Sequence, residues 1–199
     1  MVRDVAVQVR PSPGVEQFFG AIRGRQGLSL LDLSSVSQSS VSVITGLGHK
    51  IYFEDLLQEL DSCFGDGDFY ANQADPAAKA RFLRSALNFS EAALDGALVW
   101  DAFEFLSAPL LHMVVERLHL QMKPGACLLA FFHGEEKAAT VPVYSYRLSD
   151  EKTLALSLRC RRTPAQIFNN RALERLFGQF QSVKFFLTRD HLREVIVRR

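Results

Sequence analysis

No two cysteines of this chain stand close together. Cys63, Cys127 and Cys160 are scattered singly, and the five histidines show no ligand spacing. A structural zinc site needs thiolates or imidazoles that converge on one ion, and a disulfide framework needs paired thiols, so neither is expected. An odd, unclustered set of thiols suits a reducing cytosol. Also missing is any run approaching the roughly 18 apolar residues that a membrane-spanning helix needs. The opening "MVRDVAVQVRPSPG" carries charges where a secretory leader has its apolar core. Charge of one sign is absent as well: 23 Lys and Arg face 22 Asp and Glu, a formal net charge of +1. The chain as a whole therefore has no field to draw it to nucleic acid or an anionic membrane. No "GKS" or "GKT" occurs, which excludes a nucleoside-triphosphatase phosphate loop.

What remains is a chain built to fold. Its 199 residues suffice for one full-sized core, with 48% hydrophobic and 23% charged residues, and sixteen Phe among its aromatics. Val5, Val7 and Val9 alternate with polar neighbours, as in an edge strand or an extended arm over residues 1–14. Ser12 and Pro13 then supply a cap and a first-turn proline for a helix with Val15, Phe18, Phe19 and Ile22 on one side. The run "LSLLDL", 28–33, reads as a strand covered on both faces. A serine-rich loop follows, then a weak helix with Val41, Ile44 and Leu47, the strand "KIYFED", and a helix carrying Leu56, Leu57 and Leu60. Residues 61–76 are turn-rich and expected to be irregular. Residues 76–87 have helical spacing, "GALVW" reads as a strand reaching Asp101, and Pro109 opens a helix that "KPG", 123–125, should end.

"ACLLAFFH", 126–133, is the most hydrophobic strand candidate. Residues 134–165 read as a strand pair or cap, followed by a helix around "NRALERLF" and two closing strands. Strand and helix signals alternate through most of the chain, which predicts a layered α/β domain over 15–199 with a mainly parallel sheet. The last two strands are joined too tightly for a parallel crossover and should form an antiparallel hairpin.

A parallel sheet closed by such a hairpin, with a carboxylate ending the fourth core strand and "KPG" before the fifth, resembles the class I S-adenosylmethionine-dependent methyltransferases. The likeness rests on "LSLLDL", "GHKIYFED", "DGALVWDAFEFLSAPLLHMVVERLHLQMKPGACLLAFFH" and "FLTRDHLREVIVRR" in order. It implies a Rossmann-like fold with helices on both faces of the sheet. It also implies that Asp32 is the acidic residue before the cofactor loop, that Asp55 meets the ribose, and that Asn88 and Phe89 lie near the adenine. Asp101 would be a polar group of the pocket. The loop "SSVSQSS" departs from the family pattern, because Ser34, Val36 and Gln38 stand where glycines give backbone freedom and close approach to the cofactor. A β-branched Val36 side chain would project into that site.

Each candidate also has a plainer reading. Asp55 before "LLQEL" is a sound helix cap, the serines can bond their own backbone or hold an anion, and Asp101 and His133 are the only candidates for a catalytic acid or base. The stretch "RCRRTP", 159–164, concentrates positive charge without the interleaved aromatics that stack bases. The expectation is a methyltransferase-like protein with a degenerate cofactor loop, non-catalytic, acting as a partner or regulatory subunit through a protein contact or a homodimer. The alternative is an active methyltransferase on a small molecule or protein, its loop taking another route around S-adenosylmethionine.

Overall fold

The computed structural model describes residues 7–134, 139–188 and 192–199. Val5 of the N-terminal arm, 135–138 of the cap segment and 189–191 of the closing segment thus lie outside the described residues. The chain begins with β1 (Val7–Pro11) and then α1 (Pro13–Ile22), whose N-cap Ser12 accepts from the Val15 amide at 3.1 Å. Pro13 at the first turn needs no amide partner, so cap and proline together start the helix where the sequence places them. After β2 (Ser29–Asp32) come α2 (Gln38–Gly46), β3 (Lys50–Phe53), α3 (Leu56–Phe64), α4 (Phe69–Asn72) and α5 (Pro76–Ser85). Then follow β4 (Leu94–Trp100), a 3-10 turn (Ala102–Phe105), α6 (Ala108–Gln121) and β5 (Met122–His133). The chain closes with β6 (Val141–Leu148), β7 (Thr153–Arg162), α7 (Asn170–Leu176), β8 (Ser182–Leu187) and β9 (Leu192–Arg198).

Two sheets result. The larger runs β3-β2-β4-β5-β9-β8. Its first four strands are parallel to their neighbours, β9 is antiparallel to β5, and β8 and β9 form the expected antiparallel closing pair. The smaller sheet, β1-β7-β6, is antiparallel throughout. Side chains on β4 show how the layers form, because alternate residues point to opposite faces. Ala97 and Val99 join a core with α3, α5, α6 and α7, whereas Leu98 and Trp100 join one with α1, α2 and the small sheet.

Three segments differ from expectation for local reasons. Residues 61–76 are partly helical, because α3 runs on to Phe64 and the Asp68 carboxylate accepts the Tyr70 and Ala71 amides to start α4. "KPG" lies inside β5 rather than closing the helix, which ends at Gln121, and only Gly125 there takes a left-handed backbone (φ +80°). Residues 134–165 hold the strand pair β6–β7, which recruits β1 from the far end of the chain.

One buried carboxylate ties the two sheets together. Glu194 of β9, fully buried, accepts from Arg10 of β1 at 2.8 Å, from Ser12 Oγ at 2.8 Å and from the Gly14 amide at 2.6 Å. A Cβ on Gly14 would lie 2.7 Å from a Leu129 methyl and 2.8 Å from the Glu194 carboxylate, so this close approach of α1 requires glycine.

Candidate functional site

Three carboxylates stand where the parallel strands β2, β3 and β4 end: Asp32, Asp55 and Asp101. In an open α/β sheet this edge is where ligands bind. Here each carboxylate is already engaged by the protein.

Asp32 is fully buried and accepts three bonds on Oδ1: from the Ser34 amide at 3.0 Å, Ser34 Oγ at 2.7 Å and the indole Nε1 of Trp100 at 2.6 Å. Its Oδ2 has no hydrogen-bond partner among the described residues. Burial raises its pKa to about 6 against the lowering effect of the Trp100 and Ser34 hydrogen bonds. Trp100 reaches Asp32 from a left-handed backbone (φ +57°), a conformation that costs a bulky residue about 1–3 kcal/mol and persists only where packing enforces it. That packing is aromatic. The indole lies flat on Tyr146 of β6, with centroids 5.0 Å apart and planes 2° from parallel, and both rings meet Phe131 edge-on at 5.4 Å.

The Tyr146 hydroxyl donates to Asp101 Oδ2 at 3.0 Å. Burial and the neighbouring Glu104 push Asp101 up to about 7, against the pull of His133 and of hydrogen bonds from Tyr146 and the Tyr144 backbone. Glu104, buried in the 3-10 turn, accepts the His133 amide at 2.7 Å and pairs with His133 Nδ1 at 2.5 Å. Burial alone would depress His133, but the Glu104 contact outweighs it and raises the imidazole pKa. Tyr146, fully enclosed, is held well above the ordinary tyrosine value by burial and by Asp101.

Asp55 takes the plainer of its two readings, that of a helix cap. It caps α3 by accepting the Gln58 amide at 3.1 Å, accepts from Ser35 Oγ at 2.6 Å, and pairs with Arg159 of β7 at 3.3 Å. Between these groups remains a cavity of about 10 Å³, bordered among others by Ser34, Asp55, Trp100, Asp101, Tyr146 and Arg159. That is about the least space that holds one water.

The serine loop keeps an ordinary backbone. Among the described non-glycine residues only Leu87, Ala92 and Trp100 are left-handed, so Ser34, Val36 and Gln38 occupy conformations that glycine is not needed to reach. Val36 does not project into the cleft: its side chain is 73% exposed. Gln38 begins α2, whose cap is Ser37. The hydroxyls serve the fold itself, Ser34 on Asp32, Ser35 on Asp55, Ser37 on the Ser40 amide, and Ser40 accepting the Leu148 amide at 3.0 Å.

Asn88 and Phe89 do not border the cavity. Asn88 Nδ2 donates to the Arg84 carbonyl at the end of α5, and Phe89 meets Tyr52 edge-on at 5.5 Å. The basic run on β7 is partly neutralised within the chain, Arg159 by Asp55 and Arg162 by a bidentate pair with Asp61 at 2.7 and 2.5 Å.

Of the residues that close the cleft, Trp100 and Tyr146 carry no motif in the sequence, and Arg159 is marked there only as the start of a basic stretch. The one usable signal was the chain's single tryptophan at the end of a central strand, directly before Asp101. Among the described residues no group of three His, Cys, Asp or Glu is placed to hold a metal, and no helix is long and apolar enough to cross a membrane.

No protein-family model matches this chain, and no curated protein sequence does. Solved structures do. A S-adenosylmethionine-dependent methyltransferase from Archaeoglobus fulgidus superposes with a TM-score of 0.54 at 11% identity, over 93% of this chain and 91% of that one. One from Methanosarcina mazei gives 0.51 at 13% identity, over 94% and 97%. The 1,6-didemethyltoxoflavin-N1-methyltransferase of Burkholderia thailandensis, solved with 1,6-didemethyltoxoflavin and S-adenosylhomocysteine, gives 0.52 at 12% identity, over 94% and 76%. At such identities the likeness speaks to architecture, and the architecture is the Rossmann-like fold of the class I S-adenosylmethionine-dependent methyltransferases.

Proposed function

We propose that this chain is a methyltransferase-fold protein that does not hold S-adenosylmethionine in its cleft and acts as a non-catalytic partner or regulatory subunit. The filled cleft carries this reading. Pockets for ligands of cofactor size run to about 300–1,000 Å³, whereas the space between Ser34, Asp55 and Asp101 is about 10 Å³. Asp55, which the family resemblance assigns to the ribose, already has Arg159, Ser35 and the α3 amide as partners. The residues present therefore do not fit the cofactor in this arrangement, and no methyl-transfer step is derived from them. Thermal unfolding tests the reading: S-adenosylmethionine and S-adenosylhomocysteine should leave the midpoint unchanged, while a saturable rise would reveal a ligand bound to the native state and overturn it.

A second reading, an active methyltransferase with an atypical loop, is favoured by the acidic residues at the ends of β2 and β3 and by the unpartnered Asp32 Oδ2. It requires Trp100 and Arg159 to swing out when the cofactor enters. Its mark is an Asp55→Ala variant that loses at least about tenfold in cofactor affinity, the scale of a charged hydrogen bond. A variant with unchanged affinity would exclude Asp55 from the site.

A further inference from the structure

The titratable side chains at the closed cleft form one buried group. Asp101, Glu104 and Tyr146 are each at most 2% exposed, and the His133 side chain is 11% exposed. They come from three separate elements: the β4 end with its following turn, β5 and β6. Charged and titratable groups around them include Arg10 of β1, Arg161 of β7 and Tyr70 of α4, with the Asp55–Arg159 pair at the cavity and Asp32 bonded to the Trp100 indole that Tyr146 stacks on.

We propose that closure of the cleft is proton-linked: the buried trio Asp101, Glu104 and His133 keeps Tyr146 seated against Trp100 while fully protonated for its charge balance, and releases it on losing a proton. The proposal rests on reading the cleft as filled, and it adds how the filling is regulated.

Charge counting supplies the argument. Two carboxylates and one imidazole share the site, and protonated His133 balances only one of the carboxylates, Glu104, with which it is paired. Asp101 has the Tyr146 hydroxyl but no ion pair of its own among the described residues. Once Asp101 gives up its proton, an unbalanced negative charge is enclosed beside a cavity with room for about one water, and loss of the imidazole proton leaves the buried Glu104 carboxylate unbalanced in the same way. Admitting more water is the available relief, and the group in the way is the Tyr146 ring. Tyr146 sits on β6, in a sheet that shares no ladder with the six-stranded one, so it can shift without breaking the central pairing. Asp101 at about 7 places its proton loss near neutrality, while the contact with Glu104 makes His133 keep its proton to higher pH than a free imidazole.

Trp100 is the only tryptophan of the chain, so its fluorescence reads the closure directly. In the full chain, acrylamide quenching of this tryptophan should rise at least about threefold between roughly pH 6 and pH 8.5, with a red-shifted emission and unchanged far-UV circular dichroism, as local opening requires. Asp101→Asn, uncharged at every pH but still an acceptor for Tyr146, should flatten the profile or move its midpoint by more than about one pH unit. If that variant does not fold, Glu104→Gln carries the same expectation. Flat quenching in the natural chain, a rise that coincides with loss of circular dichroism, or an unmoved midpoint in the folded variant would each overturn the proposal. The readout contains no cofactor, so S-adenosylmethionine binding to the intact chain would defeat the functional reading and leave this result standing on its own.

Discussion

Among the residues bordering the cleft, Trp100 links the buried carboxylate to the aromatic stack. Trp100 takes a left-handed backbone, donates an indole N–H hydrogen bond to the carboxylate that the family resemblance assigns to the cofactor loop, and fills the adjoining space with an aromatic stack. The serines and Val36, which look like the departure in the sequence, are conformationally ordinary and Val36 is exposed, so Val36→Gly should not create cofactor binding in isothermal titration. The buried carboxylates beside Trp100 have a consequence for stability. Asp32 and Asp101 are raised from 3.8 to about 6 and about 7, so the native state binds more protons than the unfolded chain over this range. Stability is then greatest below the unfolded value and is lost as pH rises through the folded values, by up to about 4 kcal/mol for Asp101. Urea midpoints should fall between about pH 5 and pH 8, and Asp101→Asn should reduce that fall. A midpoint that rises with pH would contradict the assignment.

Secondary-structure elements explain why parts of the molecule were readable and others were not. The α/β order, the buried strands and the closing hairpin followed from periodicity and loop length, because these are local properties. Helix starts at Ser12 and Asp55 followed from capping chemistry that the structure bears out in detail. The small sheet was legible only as a strand pair. Its third strand, β1, pairs with a segment roughly 150 residues away, register Val7 to Ser157, and no local pattern encodes that partner. For the same reason the placement of Tyr146 and Arg159 over β4 was hidden: strand alternation says which face a residue takes, and not which distant element it meets.

Glu194 holds this non-local arrangement together. Removing it by Glu194→Ala takes three donors' acceptor away from the buried junction of β1, α1 and β9. The cost should be about 3–5 kcal/mol, as for other broken buried ion pairs, measured by chemical denaturation. A loss below about 1 kcal/mol would show that the junction is not held there.

At the scale of the whole molecule, the Rossmann-like fold shared with S-adenosylmethionine-dependent methyltransferases is joined to a cleft that, in the reading proposed above, the chain's own side chains fill. One face of the central sheet is covered by helices and the other by α1, α2 and the small sheet, whose β6 and β7 carry Tyr146 and Arg159 to the cleft. The claim that the fold persists without its cofactor is met most directly by isothermal titration of the intact chain at neutral pH with S-adenosylhomocysteine, alongside a Trp100→Gly, Arg159→Ala double variant. The structure predicts no binding in the micromolar range for the natural chain and measurable binding once the indole and guanidinium are removed. Micromolar binding by the natural chain would contradict it.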